Sequence, residues 1–520
     1  MKPLLAILGL LLAAAPAWYV RMLPMQLSNG EGAKKYLPAT MPGGLAVFDF
    51  DGDGALDLFF TNGGDLPAGE KGQPLHANRL FRNLGGMRFA DVTARAGLGG
   101  SSYDFGVAAG DYDGDGHADL LVTGLRGVSL WRNRGDGTFT NVTAQAGLDN
   151  HGRWSAAAAW FDKDNDGDLD LFVTNYVQWS AALERECLVN GRPDFCHPRY
   201  YQPSANALFE NRGDGTFADV SEPSGIAAHQ GKGMSAVAAD FDGNGFTDLF
   251  VTNDRVFNQL FLNRDGKRFE ESAFAWNVAA PRDGNPVSGM GVDAQDIDDD
   301  GRPDLIYTAL RDETFPLYRN NGTAFDEITA PSRLGVLTRP MAGWGVALAD
   351  LDNDGAKDIA MARSDALSPS GGRGAAAKEP PSWFRNLGGA KFGLGQGWGH
   401  LPPEMYRGIV AADLDNDGCL DIVLTALNAQ PRVLRNPCAP ATSHWLKVEP
   451  RGGPVGARVR VGSQWREAGS ATGYASSYLG PLHFGLGGAR EVAEVEVIWP
   501  GGRRKLLRKV AANQTLKVEP

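Results

Sequence analysis

One nine-residue pattern, D-x-D-x-D-G-x-x-D, occurs seven times in this chain of 520 residues. The copies begin at Asp49, Asp111, Asp162, Asp240, Asp296, Asp350 and Asp413; only the Asp240 copy departs from the pattern, with Asn244 at the fifth position. Length alone would suggest three or four domains, but a repeat of 51 to 78 residues means supersecondary units that bury their apolar faces against one another.

Each copy has the same flanks. A run of small and apolar residues precedes it, as in Gly106–Gly110 and Gly345–Ala349, and a β-rich run follows, as in Leu58–Thr61 and Leu249–Thr252. The motif is therefore a turn between two strands. A second signature follows in each unit: LFRNLGGMRFADVT from Leu80, LWRNRGDGTFTNVT from Leu130 and LFENRGDGTFADVS from Leu208, with altered forms from Leu260, Leu317 and Trp383. It reads as strand, Gly-rich turn, strand. Four strands in some 50 to 60 residues make one propeller blade, and small residues suit its crowded inner edge. The expected fold is all-β: a seven-bladed β-propeller over residues 25–441 with calcium-binding inner hairpins, then a small β-rich C-terminal domain over 442–520. Residues near 25–42 are expected to complete the seventh blade.

The chemistry of the turn points to calcium. Carboxylates at positions 1, 3 and 5 converge, Gly at position 6 permits the reversal, position 7 offers its carbonyl, and the Asp at position 9 returns from the next strand. The candidate ligands are Asp49, Asp51, Asp53, Ala55 and Asp57; Asp111, Asp113, Asp115, His117 and Asp119; Asp162, Asp164, Asp166, Asp168 and Asp170; Asp240, Asp242, Asn244, Phe246 and Asp248; Asp296, Asp298, Asp300, Arg302 and Asp304; Asp350, Asp352, Asp354, Ala356 and Asp358; and Asp413, Asp415, Asp417, Cys419 and Asp421. Such all-oxygen sites suit calcium better than magnesium, with up to seven ions. Asp-Gly hairpin turns would explain positions 5 and 6 alone; like charges at 1, 3 and 9 would repel without a cation among them.

Net charge is −12, which argues against a nucleic-acid partner, and it is unevenly spread: residues 442–520 carry 12 Lys/Arg against 6 Glu and no Asp, net +6, leaving −18 for the rest. Met1-Lys2-Pro3, the apolar run Leu4–Ala15 and Ala15-Pro16-Ala17 read as a secretory signal cut after Ala17, leaving no stable membrane span. An uncleaved anchor is the competing reading, since the apolar stretch to Val20 reaches the lower limit of a span. Export, to the outside or to a periplasm, fits an even set of cysteines. Cys187 with Cys196 and Cys419 with Cys438 is the simplest of three possible pairings.

The seven loops with their GDGTF-type turns resemble the FG-GAP/VCBS repeats of integrin α-subunit propellers and of many secreted bacterial proteins. The stretch from Gly456 to Leu516, with Leu482–Gly487, Val495–Gly501 and Ala512–Gln514, is similar to the ASPIC/UnbV domain that follows such propellers in the cartilage acidic protein family. The KYLPATMPGG run from Lys35 and the insertion spanning Cys187 to Cys196 also look like family features. The resemblance implies an exported calcium-binding propeller without established catalytic residues. Read on its own, the tail is a small sandwich or barrel-like module, from the alternation in Ala457–Val461 and Val492–Ile498.

No H-E-x-x-H, G-x-S-x-G or P-loop is present, and the eight His are scattered. His197 lies in the insertion from Tyr176 to Ala205, one of two long loops; the other runs from Ser364 to Pro381. Trp160 and Trp344 fall in inner-strand contexts and read as packing residues. The expected function is a non-enzymatic binding or adhesion-type module for an extracellular protein or glycan. The alternative is a calcium-dependent polysaccharide-active enzyme, lyase-like, on the same propeller, which His, Tyr or Lys beside a calcium on one propeller face would favour.

Overall fold

The computed structural model describes residues 18–189, 191–366, 378–438 and 443–520; the signal segment 1–17 and most of the Ser364–Pro381 loop lie outside the described residues. The described chain is almost entirely β, and none of its helices is long and apolar enough to cross a membrane.

Seven antiparallel four-stranded meanders form the body. In blade 1 the order is Leu45–Phe48, Asp57–Phe60, Arg79–Asn83 and Phe89–Asp91, with the first strand innermost. The inner strands of blades 2 to 7 are Asp104–Gly110, Ser155–Phe161, Gly233–Ala239, Val292–Gln295, Gly343–Ala349 and Tyr406–Ala412. Each packs beside the inner strands of its two neighbours, and that of blade 7 lies beside that of blade 1, closing the ring. Small residues dominate these strands because the backbones crowd there: Ala108, Ala158 and Ala236 are buried against adjoining blades.

The ring closes differently from the sequence expectation. The outermost strand of blade 7 is Tyr19–Met22, antiparallel to Arg432–Arg435 with Tyr19 opposite Arg435, and not a strand from residues 25–42. Four residues are enough here because the outer strand of a blade is short throughout the ring. Residues beyond Met22 cross to the opposite face, where Leu37–Thr40 forms a 3-10 turn with Leu37 and Met41 packed in the central cluster.

The tail forms two sheets. Leu482–Gly487, His444–Pro450 and Gln514–Val518 make one, and Gln464–Glu467, Arg458–Val461, Glu491–Ile498 and Arg504–Ala511 the other. Val448, Val459, Phe484, Val495 and Val497 fill the space between them. The sandwich expectation holds, but the tail does not stand apart. Between its strands, residues 469–480 enter the propeller channel. Ser470 Oγ takes the Trp160 N–H at 2.8 Å, the Gly473 carbonyl takes Val292 N–H at 3.0 Å, and the Ala475 carbonyl takes Val107 N–H at 3.2 Å. Ser477–Leu479 then joins blade 1 as a fifth strand, parallel to Leu45–Phe48. At the tip, Tyr474 is fully buried, stands edge-on to Trp344 with ring centroids 4.9 Å apart, and donates to the Met41 carbonyl at 2.9 Å. Gly473 is required at the tightest point: its φ is +59°, and a Cβ would sit 2.7 Å from the Val346 carbonyl oxygen.

Both local disulfides are present, Cys187 with Cys196 and Cys419 with Cys438.

Candidate metal centres

All seven loops lie on one face, each between the first and second strands of its blade. Within a loop the backbone N–H groups organise the carboxylates. In loop 1 the Gly54 N–H donates to Asp49 Oδ2 at 2.8 Å and the Ala55 N–H to Asp53 Oδ1 at 2.9 Å. The equivalent bonds recur in loop 2 from Gly116 and His117, and in loop 6 from Gly355 and Ala356. Oxygens of positions 1, 3 and 5 lie within 4.8 Å of one another in loops 1, 2 and 5. In loops 3 and 4 the close sets are Asp162, Asp164 and Asp170, and Asp240, Asp242 and Asp248.

The third-position carboxylates carry the clearest imprint of a cation. Oδ1 of Asp51, Asp113, Asp164, Asp352 and Asp415 is buried without a hydrogen-bond partner. The other oxygen of each is held by a cation: Arg82, Arg132, Arg385 and Arg435 reach Asp51, Asp113, Asp352 and Asp415 at 2.6 Å, and Lys163 reaches Asp164 at 2.6 Å. An orphaned buried anionic oxygen is expensive unless a cation faces it. The donor set and the orphaned oxygens fit calcium.

The ninth-position Asp does more than the sequence suggests. Asp57 Oδ2 accepts the Phe50 N–H at 3.1 Å, and its Oδ1 accepts the Asn83 N–H at 2.7 Å, tying the loop to the third strand. Asp119, Asp170, Asp248, Asp304, Asp358 and Asp421 repeat this. Burial, opposed by these N–H groups, pushes Asp57, Asp119, Asp304 and Asp358 up to about 8 and Asp170 to about 7. A divalent cation would hold them ionised.

Sequence reasoning passed over two rings of residues. The Asn at the end of each blade's third strand is buried, and in six of the seven blades its side chain donates to the second residue of the preceding loop. Thus Asn83 reaches the Leu414 carbonyl at 2.8 Å and Asn133 the Phe50 carbonyl at 2.8 Å. Asn211, Asn263, Asn320 and Asn436 do likewise. On the opposite face the Thr ending the second strand bonds forward: Thr61 to Phe105, Thr123 to Ala156, Thr252 to Met290 and Thr425 to Gly43, at 2.6 to 3.0 Å. The recurrence of an Asn at the end of every third strand and of a Thr at the end of most second strands was the available signal.

The tail rests on the loop face. Lys447 Nζ is 2.7 Å from Asp413 Oδ2 and 2.8 Å from Asn416 Oδ1; Arg458 donates to the Gly301 carbonyl at 2.6 Å; the Gly487 N–H donates to the Asn353 carbonyl at 2.8 Å. His483 Nε2 lies 3.1 Å from the Gly418 carbonyl oxygen. A cavity of about 640 Å³, lined by Lys357, Arg466, His483 and Asp350 among others, separates the two parts. Lys447, Lys357 and His483 therefore do stand beside loops 6 and 7, where lyase chemistry would need them, but Lys447 and His483 are engaged in holding the tail. His117, Arg302 and Cys419 occupy seventh positions as expected, Cys419 with its sulfur in the disulfide to Cys438. Trp160 and Trp344 are buried inner-strand residues, as read.

The FG-GAP-like repeat model matches residues 49–122, 112–173, 190–251, 240–307 and 296–361, and the ASPIC and UnbV model matches 451–520. The chain belongs to the FG-GAP-like repeat family and carries an ASPIC and UnbV domain at its C-terminal end. Among individual proteins it is similar to cartilage acidic protein 1 of Homo sapiens, 26% identical over 515 residues, covering 92% of this chain and 71% of that protein. It is 25% identical to the Mus musculus protein of the same name, covering 92% and 73%. Among solved structures, an Agrocybe aegerita lectin that recognises non-reducing terminal N-acetylglucosamine aligns with a TM-score of 0.43 and 16% identity, covering 75% of this chain and 87% of that one.

Proposed function

We propose that this protein is an exported, calcium-stiffened propeller that acts as a non-enzymatic binding module for an extracellular protein or glycan, with up to seven calcium ions as fixed parts of the fold. The observation that carries the metal is the set of five buried third-position oxygens that lack any partner. Supporting export are two disulfides and the similarity to cartilage acidic protein 1. The face away from the loops carries the long Tyr176–Ala205 insertion with its disulfide, and loops on a rigid scaffold are where recognition is usually placed.

The test is in two stages. Melting in calcium and in chelator should differ by many degrees, and equal stability would remove the metal from the proposal. Retention of the calcium-loaded protein on a panel of acidic and neutral polysaccharides and matrix proteins, with absorbance followed for unsaturated product, then separates binding from cleavage. A rise in absorbance would make it a lyase.

A further inference from the structure

The cavity of about 640 Å³ between the loop face and the tail is in the volume range of sites that hold small organic molecules. Gly469, Ala471 and Thr472, where the tail enters the channel, form its floor, and the exposed Gly52, Gly114 and Gly453 stand at its mouth. Its buried end holds polar atoms of both kinds that lack partners. Lys357 is 3% exposed and lines the cavity, and its Nζ has no acceptor. His483, 9% exposed, lines it too. Its Nε2 lies 3.1 Å from the Gly418 carbonyl oxygen, which can only accept, so that nitrogen carries the proton; Nδ1 is left as an acceptor, buried with no donor. Arg466, 7% exposed and on the same wall, directs three of its five N–H groups to the His483 and Trp465 carbonyls and to Gln464 Oε1.

The surroundings decide which ligand chemistry fits. Among the described residues neither Lys357 nor Arg466 has a carboxylate at ion-pair distance, unlike the buried Lys447, and the remaining residues contain no Asp or Glu. Both nonetheless lie in the field of Asp350, Asp296 and Asp299. Asp293, on the cavity wall, accepts the Leu348 N–H at 2.8 Å and the Ala294 N–H at 2.9 Å, and Asp350 accepts those of Gly355 and Asp354. An anion entering here would meet these carboxylates as well as the cations, so charge does not select for one.

The wall lacks a partner that accepts from Lys357 and donates to His483. A hydroxyl group does both, whereas an ionised carboxylate or sulfate only accepts. Tyr478 and Trp499 line the same cavity and set aromatic surface beside these polar groups, the mixture found in small-molecule sites. We propose that this chamber binds a sugar or related cyclic polyol, its hydroxyls accepting from Lys357 Nζ and Arg466 and donating to His483 Nδ1. None of these three side chains is a calcium ligand. The site rests on the reading of this protein as a glycan-binding module and names where the sugar sits. Water offers the same pair of roles, and a titration separates it from a bound ligand.

The test titrates the full calcium-loaded protein, in buffer free of glycerol, Tris and sugars, with glucose, galactose, mannose and myo-inositol. Saturation-transfer NMR of the ligand ring protons and tryptophan emission are followed. A saturable response to at least one of the four is expected, weakened about ten-fold or more in Lys357→Met, which removes the charged donor, and in Ala471→Leu, which fills the chamber from its floor. Ala471→Leu decides the matter if Lys357→Met does not fold. An equal response to acetate or sulfate would overturn the polyol assignment. No saturable response at tens of millimolar would show a chamber that holds water only. Polysaccharide retention or sugar binding that persists unchanged in both folded variants would overturn the chamber and leave the glycan-binding module standing; no retention and no sugar response would overturn both.

Discussion

Lys447 Nζ stands 2.7 Å from Asp413 Oδ2, so the C-terminal domain places a buried cation on the first carboxylate of the seventh loop. Both side chains are almost fully covered, 5% and 1% exposed. Removing one partner of such a pair leaves an uncompensated charge. Lys447→Met should therefore destabilise the protein by about 3 kcal/mol or more in chelator. A calcium ion bound there as proposed would supply charge at the same loop, so the loss should shrink in its presence. Denaturant unfolding in the two conditions measures both numbers; an equal loss in each would uncouple the tail from the loop.

The Asn ring gives a second expectation. Asn133 donates to the Phe50 carbonyl across the contact between blades 1 and 2, and within blade 2 it donates to the Ala118 carbonyl and accepts the Gly135 N–H. Asn133→Ala orphans three backbone groups and should lower stability by about 3 kcal/mol even in saturating calcium. Loss below about 1 kcal/mol would show that water replaces the staple.

Tyr474 predicts cooperativity. Because it fills the channel and Ser477–Leu479 is part of blade 1, propeller and tail should unfold in a single transition. Tyr474→Ala should lower its midpoint by an amount worth about 3–5 kcal/mol. Two separate calorimetric transitions in the unmodified protein would contradict the interlock.

Asp254 sets a pH expectation. Burial raises its carboxyl above the ordinary value, with the Tyr176 and Ser288 hydroxyls opposing. The folded state then holds a proton that the unfolded chain releases near about 4. Its effect on stability is nil below that pH, and becomes increasingly unfavourable as pH rises toward the folded value. Asp254→Asn keeps an acceptor for Tyr176 but cannot ionise. Its stability relative to the unmodified protein should rise with pH across that window, at constant calcium; a difference flat with pH would show that Asp254 is not held protonated.

The seven blades and the residues of their loops were legible because D-x-D-x-D-G-x-x-D couples a backbone requirement, Gly at position 6, to a charge cluster that tolerates few alternatives. Tyr19–Met22 was not legible, since a four-residue edge strand directly after an apolar leader has too little periodicity to read. The channel segment was hidden for another reason. Gly473, Tyr474 and Ala475 sit in a Gly- and Ser-rich stretch that reads as a turn, and only the ring of inner strands around them, distant in sequence, makes them core. Asn133 and its equivalents were visible as repeats, but a buried Asn reads as turn chemistry until its partners in the preceding blade are seen.

The two ends of the chain have a consequence for the order in which the molecule is made. Tyr19–Met22 emerges among the first residues of the described chain, yet its partner Arg432–Arg435 comes only after every other blade. Leu45–Phe48 likewise waits for Ser477–Leu479. No growing intermediate that stops short of Arg435 holds a sealed ring, and removing the chain from Ser477 onward strips blade 1 of its innermost strand.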